Sequence, residues 1–392
     1  MSIRLAYLSN GKLFFAEDGI NFRSIDSKFA MDAKTKALEI QQRNEWKTKG
    51  RGAQFRGLSP WGAGELEPAN LMVNFTGVIP ANSKGEKIIY AIETDTIGGL
   101  FQYDYKNDSE KRLIHKEKFN IRDINKQPKT NKIVCSLIYS NGISNIALIE
   151  NAFKDVRQIT EGDSLDELPS WATTSKESIV FQSSGIARNQ DGYFVGIGPY
   201  AIQYLNVETL EMRTILEDMK HDFLQPKYNS KGELFCIKRP YENNWNKSVS
   251  PFKVLKDLLF FPFRLLRAVF HYLNFFSLMY SQKPLTTAGN PKVEGPSPKN
   301  IVLHGKMIDI QKAMSKASKN EEAVSLVPKS WELVKITDGG FETLAKSVVS
   351  FDIGSDDTIV YTNGTSIYTI DADKQIKFLT KGSLIQQIIV IP

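Results

Sequence analysis

Cysteine and histidine are both scarce in this sequence, with 2 cysteines and 4 histidines among 392 residues. Cys135 and Cys236 each lie in an apolar, strand-like run, and neither belongs to a CxxC pair or a Cys/His cluster. A structural zinc site is therefore not expected. The histidines likewise show no ligand spacing. The sequence predicts no metal and no cofactor, and it predicts two buried free thiols, which suit a reducing compartment.

A secretory leader and a nucleic-acid-binding pattern are also lacking. The apolar stretch that follows Met1 is too short for a signal-peptide core, and it ends in a turn signal at Asn10-Gly11. The net charge of +6 permits attraction to anionic lipid. Basic and aromatic residues, however, do not interleave as they do in nucleic-acid binders. These absences predict a cytoplasmic protein with no nucleic-acid partner.

Catalytic motifs are missing as well. There is no GxSxG nucleophile elbow and no P-loop. The run Gly196-Ile197-Gly198 is similar to a dinucleotide fingerprint, but a strand-like run follows it where a helix would be required. We interpret it as a hairpin loop. The sequence assigns no catalytic residue and favours a protein that is not an enzyme.

What the sequence does contain is a repeat of short β-rich runs, each set between polar turns. Successive copies lie 45 and 46 residues apart, from Ile88 through Ile133 to Ile179, and 55 residues separate Ile179 from Leu234. Two longer intervals, 83 residues from Leu5 to Ile88 and 125 residues from Leu234 to Ile359, contain stretches without the repeat. When these stretches, 29–69, 241–299 and 305–328, are left out of the count, each interval becomes 42 residues. Propeller repeats are about 40–50 residues long. The spacing predicts an all-β protein in which 1–392 form one β-propeller of about six blades.

The two ends of the chain complete this pattern. The last strand-like run, 387–391, fits the inner strand of a blade whose next two strands come from the first hairpin, 3–18. Pairing the ends in this way closes the ring and leaves no free sheet edge.

One copy of the repeat points to a family. The run from Leu168 to Ser183 resembles the repeat of TolB-type, WD-repeat-like propellers, in which Pro-Ser-Trp-Ser-Pro-Asp-Gly-Lys precedes an apolar strand. The matching residues are Pro169, Ser170, Trp171, Lys176, Ile179 and Phe181, and 172–175 replace the Ser-Pro-Asp-Gly turn. A weaker copy occupies 225–235. The resemblance implies a six-bladed ring and, in that family, frequent protein or peptide binding. The best-known members are periplasmic, but no signal peptide is recognised here.

Residues 251–282 form the most apolar part of the chain, and they interrupt a blade. Their polar residues recur at steps of three and four, which predicts an amphipathic helix with a narrow polar stripe, kinked at Pro262. Ten of its residues are predicted to bind a membrane or a partner: Lys253, Lys256, Phe260, Phe261, Phe263, Arg264, Arg267, Phe270, Phe275 and Phe276.

Three interpretations of segment 251–282 stay open. Arg264 and Arg267 at its centre argue against a membrane span. The segment fits a membrane interface with its cations towards the head groups, a hydrophobic groove on a partner, or a cap over one end of the ring. The basic stripe and the phenylalanines favour the first, so we expect peripheral association with the inner face of a membrane.

The strand order places the two large inserts together. Segment 241–299 follows the second strand of a blade, and segment 29–69, with a predicted helix over 29–47, connects two blades. In a four-stranded antiparallel blade both kinds of connection leave at the same end. We also predict that segment 305–328 is helical.

The acids just before an inner strand are the remaining candidate site. Asp163, Asp166 and Glu167 would lie near the mouth of the channel, where they could bind a cation or a basic peptide, although turn-forming acids are the simpler interpretation. The sequence favours a non-catalytic scaffold that binds a protein or peptide partner. The alternatives are an enzyme with a channel-mouth active site and a TolB-like envelope assembly factor.

Overall fold

The structure is a computed structural model that describes residues 3–48, 73–82, 85–94, 97–127, 130–150, 153, 155–173, 175, 177–242, 300–309 and 325–392. The chain divides into two units, Met1–Tyr241 with Asn300–Pro392 and Glu242–Lys299. Of the second unit only Glu242 is described. No helix among the described residues combines the length and the apolarity that crossing a bilayer requires.

The first unit is built from antiparallel meanders of four strands. The first meander joins the two ends of the chain, and its strands in spatial order are β27 (Ile385–Ile391), β1 (Arg4–Ser9), β2 (Lys12–Ala16) and β3 (Arg23–Ile25). Helix α1 (Lys28–Thr48) follows β3. The second meander contains β4 (Asn74–Pro80), β5 (Lys87–Glu93), β6 (Ile97–Asp104) and β7 (Ser109–Glu117).

The third and fourth meanders belong to one nine-stranded sheet. The third contains β8 (Asn120–Lys126), β9 (Ile133–Ile138), β10 (Ser144–Glu150) and β11 (Asp155–Gln158). The fourth contains β12 (Ser164–Trp171), β13 (Ser178–Arg188), β15 (Ala201–Asn206) and β16 (Met212–Leu216), and β14 (Phe194–Ile197) extends β13 as a hairpin. A single parallel pair, Ser144 with Leu165, links them.

Two further meanders complete the described strands. The fifth contains β17 (His221–Tyr228), β18 (Leu234–Pro240), β21 (Glu332–Thr337) and β22 (Gly340–Lys346), with a separate hairpin of β19 (Asn300–Leu303) and β20 (Lys306–Asp309) inserted between β18 and β21. The sixth contains β23 (Ser350–Ile353), β24 (Ile359–Thr362), β25 (Ser366–Ile370) and β26 (Ile376–Lys381).

The first strands of the six described meanders form a closed cycle. Contacts run from β27 to β4, β8, β12, β17 and β23, and β23 contacts β27 again. Apolar residues pack between consecutive meanders, and one such cluster contains Val180, Phe223 and Cys236. Both cysteines are buried and unpaired, as predicted. The predicted all-β propeller and its closure by the paired ends are confirmed.

Three inner strands share a bulge at the position where the sequence carries its motif. Asp123, Leu168 and Gln225 have φ values of 51°, 52° and 54°, and the strand register shifts at each of them. A bulge leaves one residue without its ladder hydrogen bond. Proline, which has no N–H to donate, is therefore tolerated directly afterwards, as at Pro169 and Pro226.

Helix α1 lies where the sequence predicts one, and the remainder of segment 29–69 after residue 48 lies outside the described residues. The prediction of a helical segment 305–328 is wrong at 306–309, because these residues form β20 and pair with β19. The predicted amphipathic helix 251–282 lies outside the described residues.

Candidate functional site: the upper face and the inner rim

One end of the ring is termed here the upper face. It carries the connections from the fourth strand of one meander to the first strand of the next, and those from the second to the third strand within a meander. Because neighbouring strands run antiparallel, both kinds of connection lie at the same end. The connections β11–β12 (159–163) and β16–β17 (217–220), the β13–β14 hairpin, the β19–β20 hairpin and α1 all leave from this face.

The β13–β14 hairpin presents two aromatic side chains to solvent. Its turn is set by Asn189, whose Oδ1 accepts hydrogen bonds from the N–H groups of Asp191 at 3.1 Å and Tyr193 at 2.8 Å. Gly192 supplies the positive φ of 80° that this turn requires. Beyond the turn, Tyr193 is 72% exposed and Phe194 is 62% exposed.

The hairpin is fixed to the ring on both sides. The Arg188 guanidinium forms a bidentate ion pair with the Asp163 carboxylate, with Nε to Oδ2 at 2.7 Å and Nη2 to Oδ1 at 2.8 Å. The Ile186 N–H donates to the Asp163 carbonyl at 2.9 Å. On the other strand, the Tyr241 hydroxyl donates to the Ile197 carbonyl at 2.6 Å. The aromatic pair is thus held on an anchored element.

The connections of the upper face also expose apolar, acidic and basic side chains, the last at Lys220. Met219, in the neighbouring β16–β17 connection, is 82% exposed. Three exposed acids, Glu161, Asp191 and Glu217, occupy connections on the same face. None of them forms an ion pair with another described residue.

Beneath this face lies a buried charged cluster centred on Arg239, which is 2% exposed. Its Nε bonds Asp222 Oδ2 at 2.7 Å, and its Nη2 donates to the His304 carbonyl at 2.8 Å. The guanidinium carbon lies 4.6 Å from the Trp331 ring centroid. This cluster ties the β19–β20 hairpin to the fifth meander. Arg239 Nη1 has no hydrogen-bond partner among the described residues.

His304 is uncharged in this cluster. Burial lowers its pKa to about 4, and the charge of Arg239 acts in the same direction. The ring Nε2 donates to the carbonyl of Val349 at 2.8 Å. His304 therefore serves as a neutral hydrogen-bond donor at the turn of the β19–β20 hairpin.

Two carboxyl groups lie on adjacent inner strands of neighbouring meanders, Asp123 on β8 and Glu167 on β12. Glu167 accepts hydrogen bonds from Gln182 Nε2 at 3.1 Å and from the Tyr200 hydroxyl at 3.3 Å. Burial raises the pKa of Glu167. Burial, and next the charge of Glu167, raise the pKa of Asp123 to about 7. The backbone N–H of Leu168 acts against this rise.

The three predicted channel-mouth acids are thus placed in three different settings. Asp163 is exposed and paired with Arg188. Asp166 is buried and accepts a hydrogen bond from Ser183 at 2.7 Å, so it is part of the sheet. Glu167 is the acid whose charge helps to raise the pKa of Asp123 on the neighbouring strand β8. Sequence reasoning missed Asp123, although its bulge lies one repeat before Leu168, at a spacing of 45 residues.

The other predicted site residues belong to segment 251–282 and lie outside the described residues. Within the described part of the chain, no group of three or more histidine, cysteine or acidic side chains is placed to hold a metal ion.

Comparison with known proteins finds no matching protein-family model. No curated protein matches the sequence either. Among solved structures, TolB from Acinetobacter baumannii aligns with 100% of this chain and 67% of its own, at a TM-score of 0.49 and 10% identity. A nidogen/laminin complex aligns with 99% of this chain and 98% of its own, at a TM-score of 0.49 and 6% identity. The putative TolB from Agrobacterium tumefaciens aligns with 82% of this chain and 91% of its own, at a TM-score of 0.41 and 11% identity.

The class of this protein is defined by its own strand pairing. Six described meanders, closed in a cycle by β27 and β1, make it a β-propeller. The features that distinguish it from a bare ring are the anchored aromatic hairpin, the Arg239 cluster and the Asp123–Glu167 pair.

Proposed function

We propose that this protein is a non-catalytic scaffold of TolB-type, six-bladed architecture that binds a protein or peptide partner on its upper face. The observation that carries the proposal is the exposure of Tyr193 and Phe194, at 72% and 62%, on a hairpin fixed by the Arg188–Asp163 pair. An exposed aromatic pair on an anchored element buries a large area at little conformational cost when a partner covers it.

Charge on the same face indicates what kind of partner fits. Three exposed acids, Glu161, Asp191 and Glu217, and one exposed cation, Lys220, lie in connections of this face, and the acids favour the approach of groups of opposite sign. The partner is therefore a chain that offers apolar side chains flanked by lysine or arginine. Attraction by these acids should weaken as ionic strength rises.

A photo-crosslinking experiment in the native cell tests this proposal. Benzoylphenylalanine replaces Tyr193 in one variant and Phe378 in a matched control, because Phe378 is also an exposed aromatic, at 53%, but lies in the outer strand β26. We expect a defined crosslinked partner from position 193 and none from position 378. Phe194→Ser added to the first variant should remove the crosslink. Equal crosslinking from both positions would contradict the proposal.

Segment 251–282 is the second part of the proposal. Its narrow basic stripe and its phenylalanines support attachment to the inner face of a membrane, in the cytoplasm, where the two buried thiols stay reduced. Liposome flotation of the intact protein beside a deletion of 251–282 tests this. Flotation of the intact protein alone supports attachment, and a preference for anionic lipid implicates Lys253, Lys256, Arg264 and Arg267. If neither floats, attachment is refuted.

An enzyme with a site at the inner rim is the second candidate, and one observation favours it. Asp123 and Glu167 are neighbouring carboxyls with raised pKa values, as in acid–base catalysis. A chemical change in the captured partner that disappears in Glu167→Gln would support catalysis. Recovery of the mature protein outside the cytoplasm would instead favour a TolB-like envelope assembly factor.

A further inference from the structure

We propose that the β19–β20 hairpin is an acid-sensitive switch on the upper face, fastened to the ring at neutral pH and released as the pH falls. This goes beyond the proposed function, which does not depend on it. The hairpin forms a two-stranded sheet of its own, and neither strand pairs with another described strand. A lone hairpin is marginally stable in water, so its position depends on its contacts with the ring.

The hairpin is fastened mainly at its turn. The carbonyl of His304 accepts a hydrogen bond from Arg239 Nη2 at 2.8 Å, and the ring of His304 donates from Nε2 to the carbonyl of Val349 at 2.8 Å. Lys306 Nζ donates to a carbonyl at the end of β18 at 3.0 Å. Leu303, at 3% exposure, packs into a buried apolar cluster of the ring. His304 thus takes part in two of these contacts, one through its backbone and one through its ring.

The His304 ring fits this place only while it is neutral. Because Nε2 already donates to Val349, a second proton has to enter at Nδ1. The imidazolium would then lie beside the Arg239 guanidinium, which bonds to the carbonyl of the same histidine. The acid of this cluster, Asp222, is already bonded to Arg239 at 2.7 Å. Protonation therefore places a second cation beside the first, and such a charge disfavours the fastened state.

The other titratable groups near the turn do not offset a charge on His304. They are Tyr200 before β15, Glu167 on β12, Lys329 before β21, and Lys306 and Asp309 on the hairpin itself. Glu167 accepts the Tyr200 hydroxyl at 3.3 Å, and Lys329 is exposed. Asp309 lies at the far end of the hairpin, opposite Asn300. The connection 347–349 contains no charged residue.

The direction of the pH effect follows from the two states of the hairpin. In the fastened state burial, and next the charge of Arg239, lower the pKa of His304 to about 4, whereas the ordinary value is 6.5. Between these values the released hairpin binds a proton that the fastened one does not. The equilibrium constant for release should therefore rise about tenfold for each pH unit below 6.5, and level off near pH 4.

Release would act next to the surface proposed for the partner. A methyl group built on Gly305, at the turn, would lie 3.9 Å from the Tyr200 hydroxyl oxygen and 4.0 Å from Cδ1 of Ile197. Ile197 belongs to β14, so the turn borders the base of the aromatic hairpin. The released hairpin would also leave the Trp331 ring, whose centroid lies 6.3 Å from that of His304.

Hydrogen–deuterium exchange of the full chain, corrected for the intrinsic effect of pH, tests the proposal. We expect exchange of the amides of 301–308 to accelerate about 100-fold between about pH 6.5 and about pH 4.5, while β17 and β27 stay protected. His304→Gln keeps an N–H donor for Val349 but does not titrate, so the acceleration should vanish. His304→Lys should give fast exchange already at neutral pH. His221→Gln, which removes a histidine paired with Asp218, is the control and should behave like the parent.

Thermal melting at neutral pH shows whether each variant folds. Acceleration that persists in a folded His304→Gln would overturn the proposal, because another group would then be the one that titrates. Exchange of 301–308 that ignores pH in the parent would overturn it as well. So would equal acceleration in β17 and β27, because acid would then unfold the ring rather than release the hairpin. The comparison of 301–308 with these strands in the parent decides the matter even if a variant does not fold.

Discussion

Arg239 shows how one residue of this ring joins an inserted element to the blade beneath it. Its guanidinium reaches Asp222 on β17, the carbonyl of His304 in the β19–β20 turn and the ring of Trp331. Both charged side chains of the pair are almost fully buried, at 2% and 3% exposure. A buried ion pair stabilises the folded state little more than apolar residues of the same volume would. A buried charge that has lost its partner, however, destabilises the fold strongly.

Arg239→Met should therefore lower the free energy of unfolding by about 3–5 kcal/mol, because Asp222 is left buried and charged. The double variant with Asp222→Asn should recover part of that loss. Denaturant unfolding monitored by tryptophan fluorescence measures both. Lys374→Met, which removes an ion pair that is 62% and 35% exposed, is the control and should cost less than about 1 kcal/mol. A loss of that small size at Arg239 would refute the buried-charge explanation.

At the residue scale the sequence predicted part of the inner rim. Glu167 was predicted because it precedes the motif, and the structure brings it to a second acid. Asp123 was missed because its strand, 120–126, carries no proline or tryptophan to mark the bulge. The partners of Glu167, Gln182 and Tyr200, lie 15 and 33 residues further along the same meander, so the sequence around Glu167 does not show these contacts.

Helix α1 is the clearest case of an element whose start is fixed from elsewhere in the chain. Ser27 Oγ accepts a hydrogen bond from the Ala30 N–H at 3.2 Å, as an N-cap does. Glu110, on strand β7, accepts hydrogen bonds from the Ser27 hydroxyl, from the Phe29 N–H at 3.0 Å and from the Tyr90 hydroxyl. The helix therefore begins where the second meander holds it.

Glu110→Ala should loosen the first turn of α1 and cost about 1–3 kcal/mol, because three donors lose their acceptor. Hydrogen exchange of the amides of 29–31 should accelerate, while exchange in β1 and β27 stays slow. Glu117→Ala, at the exposed end of the same strand, is the control and should change neither quantity. Unchanged exchange in Glu110→Ala would show that the helix holds its start without this contact.

Elements were predicted well where their pattern is local. A helix over 29–47 was expected and Lys28–Thr48 is found. Segment 305–328 was predicted to be helical, but its residues 306–309 pair with β19. That hairpin turns at His304 and Gly305, and Arg239, 65 positions before His304, bonds to it, a contact that the local pattern does not show.

The whole molecule depends on the pairing of its two ends. Strand β27 pairs with β1 from Arg4 opposite Ile391 to Ser9 opposite Ile385. Its side chains Ile385 and Ile388 are fully buried beside Leu5 and Val360. Closure of this kind was predictable from sequence, because the strand spacing left one blade to be shared between the ends.

Deletion of 385–392 should open the ring, because β1 is left with an unpaired edge and the core beside it is exposed. We expect a lower melting temperature and self-association in size-exclusion chromatography. A synthetic peptide of residues 383–392, added during refolding, should restore the monomer, and a peptide with Ile388→Asp should not. A truncated chain that remains monomeric and melts like the parent would show that closure contributes nothing.

The lengths of the connections give this ring two unequal sides. The α1 segment, the aromatic hairpin and the β19–β20 hairpin all leave from the upper face, whereas the connections at the opposite end have six residues or fewer. The paired termini open at that opposite end, where β27 finishes and β1 begins. Immobilising the protein through either terminus therefore turns the upper face away from the support, and a fusion domain at either end leaves the upper face unobstructed.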